Sequence, residues 1–165
     1  MILWDVYLLK GSNSMYTKYI ILFIITAFIF SIYFNRLSAE QDNKYYKIEN
    51  NKIIKPLIDG VPDPLKGREI VISRVGNCLA CHKISILKEP FQGNIGPSLD
   101  GIGNKYSEGE LRLRLVNPYY LNPNSLMPAF YRKEGLMRVA RKYSEKTILT
   151  AEQIEDVISW LLTLK

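Results

Sequence analysis

The chain has 165 residues and a formal charge of +6, which suits one modest domain preceded by a leader. Two cysteines exclude a disulfide framework. Discounting residues 1–39 removes Lys10, Lys18, Arg36 and Asp5 and leaves +4. That is a mildly basic surface, suited to an acidic protein or an anion, and not the footprint of a nucleic-acid binder.

The first element is the apolar run Tyr19–Phe34, preceded by Lys18 and followed by polar sequence from Asn35. It reads as the apolar core of a secretory signal. It is slightly short for a bilayer span, which needs about 20 residues. Leu37-Ser38-Ala39 offers a cleavage point before Glu40, with Leu37 a weak choice at its position. An uncleaved anchor is the alternative, and only then does the chain stay on the membrane. Met15, just ahead of Lys18, would make a more ordinary start for such a signal. Residues 1–39 are therefore assigned to the leader, and the chain is expected in the periplasm.

Residues 40–63 read as an extended arm. Gln41–Lys55 is rich in Asn, Lys and Tyr with no sustained period, and Pro56, Gly60, Pro62 and Pro64 punctuate the stretch after it. The arm is either a tether or a strip whose Tyr45, Tyr46, Ile53, Ile54 and Leu57 pack against a partner chain.

Residues 64–165 form the expected domain. Asp63 before Pro64 predicts a helix start, with an N-cap oxygen followed by proline in the first turn. Leu65, Ile72 and Val75 can share one face of this helix, with Lys66, Arg68, Glu69 and Arg74 facing water. Gly76 and Asn77 turn the chain out of the helix and directly into Cys78-Leu79-Ala80-Cys81-His82.

That C-x-x-C-H run predicts covalent attachment of one haem c. Two thiols on one turn, Cys78 and Cys81, can each add to a vinyl group of the same porphyrin. His82 then serves as an axial ligand of the iron. Three readings compete with it. A redox-active cysteine pair would want a surrounding β-α-β pattern, which is not visible. A structural zinc site needs four ligands, and Cys78, Cys81 and His82 are the only cysteines and histidine in the chain. A disulfide across so short a loop has poor geometry.

The turn-rich stretch Gln92–Gly103 comes next. It is either an ordinary surface loop or a segment that approaches the flat cofactor through its glycines. In the second case a backbone carbonyl near Pro97 would accept a hydrogen bond from the non-ligating nitrogen of His82.

Ser107-Glu108-Gly109-Glu110 is a capping box that opens a helix through Val116. Leu111 and Leu115 belong to its core face. Arg112 and Arg114 point elsewhere, toward solvent, a haem propionate or a partner. Pro118, Pro123 and Pro128 then argue against further helix up to Met127. Pro128 biases Met127 toward extended backbone, so its side chain can project. A thioether is a soft ligand suited to low-spin iron, and after Glu40 the only methionines are Met127 and Met137. Met127 is favoured because Met137 lies in what reads as a helical turn; the bland role for Met127 is filling a core gap.

Arg132, Lys133, Arg138, Arg141, Lys142 and Lys146 form a basic stretch, read as a solvated face or a docking patch for an anionic partner. Thr150-Ala151-Glu152-Gln153 is a second capping box. Ile154, Val157, Ile158, Leu161 and Leu162 recur at helical spacing behind it, with Trp160 read as core. This last helix should cross the first helix of the domain. The fold class expected is mainly α, around one covalently bound haem.

Five strings occur in order: Gly67-Arg68, Arg74-x-Gly76-Asn77-Cys78-Leu79-Ala80-Cys81-His82, Gln92–Leu99, Leu126-Met127-Pro128-Ala129 and Gly135-Leu136-x-Arg138-Val139-Ala140. Together they resemble the SoxX family, the monohaem cytochrome c subunit of sulfur-oxidation SoxAX complexes. The match covers Leu65 to Lys165, and Met137 departs from the polar residue more usual at its position.

The resemblance implies a class I cytochrome c-like fold and a periplasmic heterodimer with a SoxA-type cytochrome. It implies a complex that joins thiosulfate oxidatively to a cysteine of a SoxYZ-type carrier, an L-cysteine S-thiosulfotransferase. The reacting haem and cysteine then lie on the partner, and this chain relays electrons to a small cytochrome acceptor. Carried onto this sequence, Cys78 and Cys81 hold the haem, His82 and Met127 ligate its iron, and no residue of this chain is catalytic. The runner-up is a free-standing class I cytochrome c that carries electrons between complexes, and the third reading is a thiol-disulfide exchange protein.

Overall fold

The computed structural model describes residues 13–37, 45–136, 139, 141 and 144–165. The chain divides into two compact units, Met1–Asp42 and Asn43–Lys165. Met137, Arg138, Ala140 and Lys142, like Ser38 and Ala39 of the expected cleavage point, lie outside the described residues.

In the first unit, helix α1 spans Asn13–Leu37. Its described side chains are exposed, among them Phe23, Phe28 and Phe30. Thr26 meets the demand of its hydroxyl locally, donating to the carbonyl of Phe23 at 2.9 Å. Among the described residues no helix is long and apolar enough to cross a membrane.

The second unit holds α2 (Pro64–Ile72), a 3₁₀ turn (Cys78–Ala80), α3 (Ile102–Lys105), α4 (Glu108–Val116), α5 (Pro118–Leu121) and α6 (Ala151–Leu161). Between described residues the only β pairing is an isolated antiparallel bridge, Glu49 to Lys52. Local chemistry starts each main helix. Asp63 accepts from the amides of Leu65 and Lys66, with Pro64 in the first turn. Ser107 with Glu110, and Thr150 with Gln153, close the two expected capping boxes.

Helices α2 and α6 form the principal crossing. Gly67 makes it close, because a Cβ there would run into the backbone carbonyl of Asp156. Val71 from α2 and Ile154, Val157, Ile158 and Leu161 from α6 are buried together with Leu111, Leu113 and Leu115 of α4. The face of α2 differs from the expected one. Of the expected face Ile72 packs against the core, but Leu65, and Val75 beyond the helix end, are 72% and 55% exposed, whereas Gly67 and Val71 are buried. Close backbone approach selects the small residue, so the glycine side of the helix faces inward.

Prolines also act differently from expectation after α4. Pro118 occupies the first turn of the short helix α5, where its missing N–H costs nothing.

The arm residues are divided between core and surface. Tyr46 and Ile53 are buried in this chain's own core and Leu57 packs against it, while Tyr45 and Ile54 are exposed. Polar bonds lace this segment to the helices, among them Ile53 N to the Gly109 carbonyl at 3.0 Å. Arg112 Nη1 donates to the Ile53 carbonyl at 2.7 Å, Leu57 N to Glu155 Oε1 at 2.9 Å, and Asp63 N to Asp156 Oδ1 at 2.7 Å. The expected solvent, propionate or partner role of Arg112 is thereby overturned: its side chain is wholly buried. Arg114 lies over the Tyr106 ring, 3.8 Å from its centroid, and donates to the Glu110 carbonyl.

Candidate haem site

The C-x-x-C-H turn is delivered by the end of α2. Ser73 stops the helix: its amide donates to the carbonyls of Glu69 and Ile70, and its hydroxyl accepts from the amides of Val75 and Gly76. Asn77 then takes a left-handed backbone at φ 50°. Cys78–Ala80 forms the 3₁₀ turn, and the amides of Cys81 and His82 both donate to the Cys78 carbonyl, at 3.1 and 2.9 Å. Both thiols are therefore carried by one turn. They are half-buried and not joined to each other.

Burial pushes the Cys78 thiol up to about 11, against weaker lowering by its backbone hydrogen bond. Redox-active C-x-x-C pairs depend on the opposite shift, toward thiolate. That direction does not favour the exchange-protein reading. The zinc reading fails on donors, since among the described residues no group of three His, Cys, Asp or Glu side chains is arranged to hold a metal ion.

The loop after the motif folds back along it. Gly93 N donates to Leu79 O, Gly96 N to Cys81 O and Leu99 N to Lys83 O, at 2.8, 2.8 and 2.9 Å. The glycines serve this lacing: a Cβ at Gly93 would strike the Ala80 carbonyl, and one at Gly96 would strike the His82 ring. Gln92, whose role sequence reasoning missed, braces the turn between motif and loop. Its Oε1 accepts from Ile84 N and its Nε2 donates to Leu87 O, both at 2.6 Å.

His82 lies 2.7 Å through Nδ1 from the Pro97 carbonyl. A carbonyl only accepts, so Nδ1 carries the proton and Nε2 keeps a free lone pair. This is the arrangement a metal-ligating imidazole requires.

Met127 is held on a separate segment, beyond α5. Its amide donates to Ser125 Oγ at 3.2 Å, and its side chain is half-buried against the core. Phe130 N donates to Leu115 O at 2.9 Å, which ties the far end of this segment to α4. Exposed apolar side chains stand on all three flanking segments: Val75 before the motif, Ile95 beside Gly96 and Leu126 beside Met127. Two unbridged thiols on one turn, followed by an imidazole whose Nδ1 is held by a carbonyl, fit a covalently bound porphyrin.

The cytochrome c family profile matches residues 65–165. The crystal structure of SoxXA from P. pantotrophus is 35% identical, with a TM-score of 0.67, covering 73% of this chain and 94% of that one. An uncharacterized lipoprotein of Aquifex aeolicus is 33% identical over 93 residues, which is 54% of this chain. The match spans only 37% of that relative's length. The chain belongs to the cytochrome c family, as a SoxX-type electron-transfer cytochrome that carries covalently bound haem c.

Proposed function

We propose that this chain is the monohaem electron-relay subunit of a two-cytochrome complex of the SoxAX type, in which thiosulfate is joined oxidatively to a carrier-protein cysteine. Cys78 and Cys81 would hold the haem through thioether bonds, and His82 Nε2 and Met127 Sδ would be the donors to its iron. The bound haem supplies a one-electron iron couple, which His/Met ligation moves to higher potential. The observation that carries this reading is the His82 Nδ1–Pro97 carbonyl hydrogen bond, which orients the imidazole and leaves Nε2 free.

The division of labour follows from the cysteines. Cys78 and Cys81 are the only two, and both are committed to the haem, so this chain has no thiol left to react with sulfur. The reacting haem and cysteine are assigned to a SoxA-type partner in a heterodimer. A SoxYZ-type carrier brings the substrate cysteine, and a small cytochrome takes the electrons. The complex works in the periplasm, with residues 1–39 serving as signal peptide or uncleaved anchor and 64–165 as the haem domain.

Two measurements test this. Met127→Ala abolishes the weak near-infrared sulfur-to-iron band of the ferric protein; an unchanged band moves the ligand to Met137. Pull-down of the exported chain, with haem counting, recovers a second haem-bearing subunit. Recovery of a lone monohaem chain supports a free-standing electron carrier instead.

A further inference from the structure

Residues 118–131, which carry Met127, form a loop that leaves α4 at Asn117 and returns at Arg132. Asn117 is 7% exposed and stands at the N-cap of α5, yet its side chain makes no capping bond to that helix. Asparagine at such a position ordinarily accepts from its own helix end. Its Oδ1 instead accepts from Arg132 Nη1 at 3.2 Å. Nη2 of the same guanidinium lies against Gly135, where φ is 65° and a Cβ would collide with it. Together with the Phe130 N to Leu115 O bond, this pair closes the neck of the loop.

We propose that the Arg132–Asn117 hydrogen bond is a clasp at the neck of the Met127 loop, positioning the thioether and slowing its departure from the haem iron. The inference rests on Met127 as the axial ligand. A thioether is neutral and weakly held, so its residence depends on how firmly the loop presents it. An open neck leaves a chain of this length free to swing, whereas a closed neck confines it. Arg132 belongs to the basic stretch, and one end of its guanidinium is engaged by Asn117 within the fold. It is a positioning residue, acting through Asn117 and the loop.

The test uses the haem-loaded full chain in the ferric state with imidazole as the displacing ligand. At saturating imidazole the exchange rate becomes the rate at which sulfur leaves iron. Arg132→Met and Asn117→Leu each raise this limiting rate about tenfold, as expected for losing a charge-assisted hydrogen bond. The double variant is no faster than either single one, and Arg132→Lys recovers part of the wild-type rate. Unchanged rates, or two effects that multiply independently, overturn the clasp. If Arg132→Met or Asn117→Leu does not load haem, Asn117→Asp decides. It keeps the acceptor and adds charge opposite Arg132, so it slows exchange, and an equal or faster rate overturns the proposal. Met127→Ala separates the two failures: survival of its sulfur band means that the ligand assignment fails and takes the clasp with it, whereas loss of the band with unchanged rates in the neck variants overturns the clasp alone.

Discussion

Arg112 and Glu155 face each other inside the protein, each 1% exposed, with Nε 2.7 Å from Oε1 and Nη2 2.8 Å from Oε2. The fork joins α4 to α6. It reaches further: the same guanidinium holds the Ile53 carbonyl and also pairs with Glu108, and the same carboxylate accepts from Leu57 N. Both charges are thus answered by several partners, which is the condition for a buried ion pair to be tolerated.

Breaking this pair from one side strands a buried charge. Arg112→Met is expected to destabilise the domain by about 3–5 kcal/mol, read by denaturant unfolding of the haem-loaded protein. Adding Glu155→Leu recovers part of the loss, because the orphaned carboxylate goes, though Leu57 N then lacks its acceptor. A double variant less stable than Arg112→Met would refute the stranded-charge account.

Gly67 sets propensity against packing. Alanine is favoured over glycine inside a helix by about 1 kcal/mol. At this position the added methyl meets the Asp156 carbonyl. Gly67→Ala is therefore expected to destabilise by a net amount of about 1–3 kcal/mol, through separation of α2 from α6. A stabilised variant would show that the crossing is looser than described.

Gly96 stands behind the His82 ring. The Cβ of Gly96→Ala would collide with the imidazole, which the Pro97 carbonyl holds from Nδ1. The ring must shift and the Nδ1–H bond to the carbonyl must lengthen. Faster exchange of the Nδ1 proton by NMR is the expected signature, with a stability loss of about 1–3 kcal/mol. Unchanged exchange would mean that the loop, not the ring, gives way.

Asp100 ties the loop to Ser85. Its carboxylate is held below its ordinary value of 3.8, first by the Ser85 hydroxyl, then by the Ser85 amide and the Ser98 hydroxyl. A depressed carboxyl pKa contributes stability above the unfolded value and loses it as pH falls through the folded one. Ser85→Ala should raise the Asp100 pKa toward 3.8 in an NMR titration, with a weaker dependence of stability on pH below that value. An Asp100 titration that does not move would assign the shift elsewhere.

Much of this molecule was legible in its one-dimensional pattern. Helix starts at Asp63, Ser107 and Thr150 are local, since cap and capped amides lie within three residues. Cys78, Cys81 and His82 needed only spacing, and the Pro97 acceptor needed only the demand of an imidazole for a partner on its second nitrogen. Three errors have a common origin. Arg112 reads as a surface charge because the partners that bury it, Glu155 and the Ile53 carbonyl, lie 43 and 59 positions away. Tyr46 and Ile53 read as part of a tether or of a strip for a partner chain because nothing nearby in sequence shows which core they enter. Leu65 reads as inward because apolarity outweighs, in a local pattern, the closeness of approach that Gly67 permits.

What the sequence alone determined was the chemistry of haem attachment, since this depends on residue identity and short spacing. What only the tertiary structure decided was the destination of the charged and amide side chains. Arg112, Glu155 and Asp156 are buried because distant segments supply partners for them, and Asn117 faces Arg132 because the loop between them closes. Whether a polar group lies in water or in the core depends on whether the fold brings its counterpart within hydrogen-bonding distance, and no local pattern carries that information.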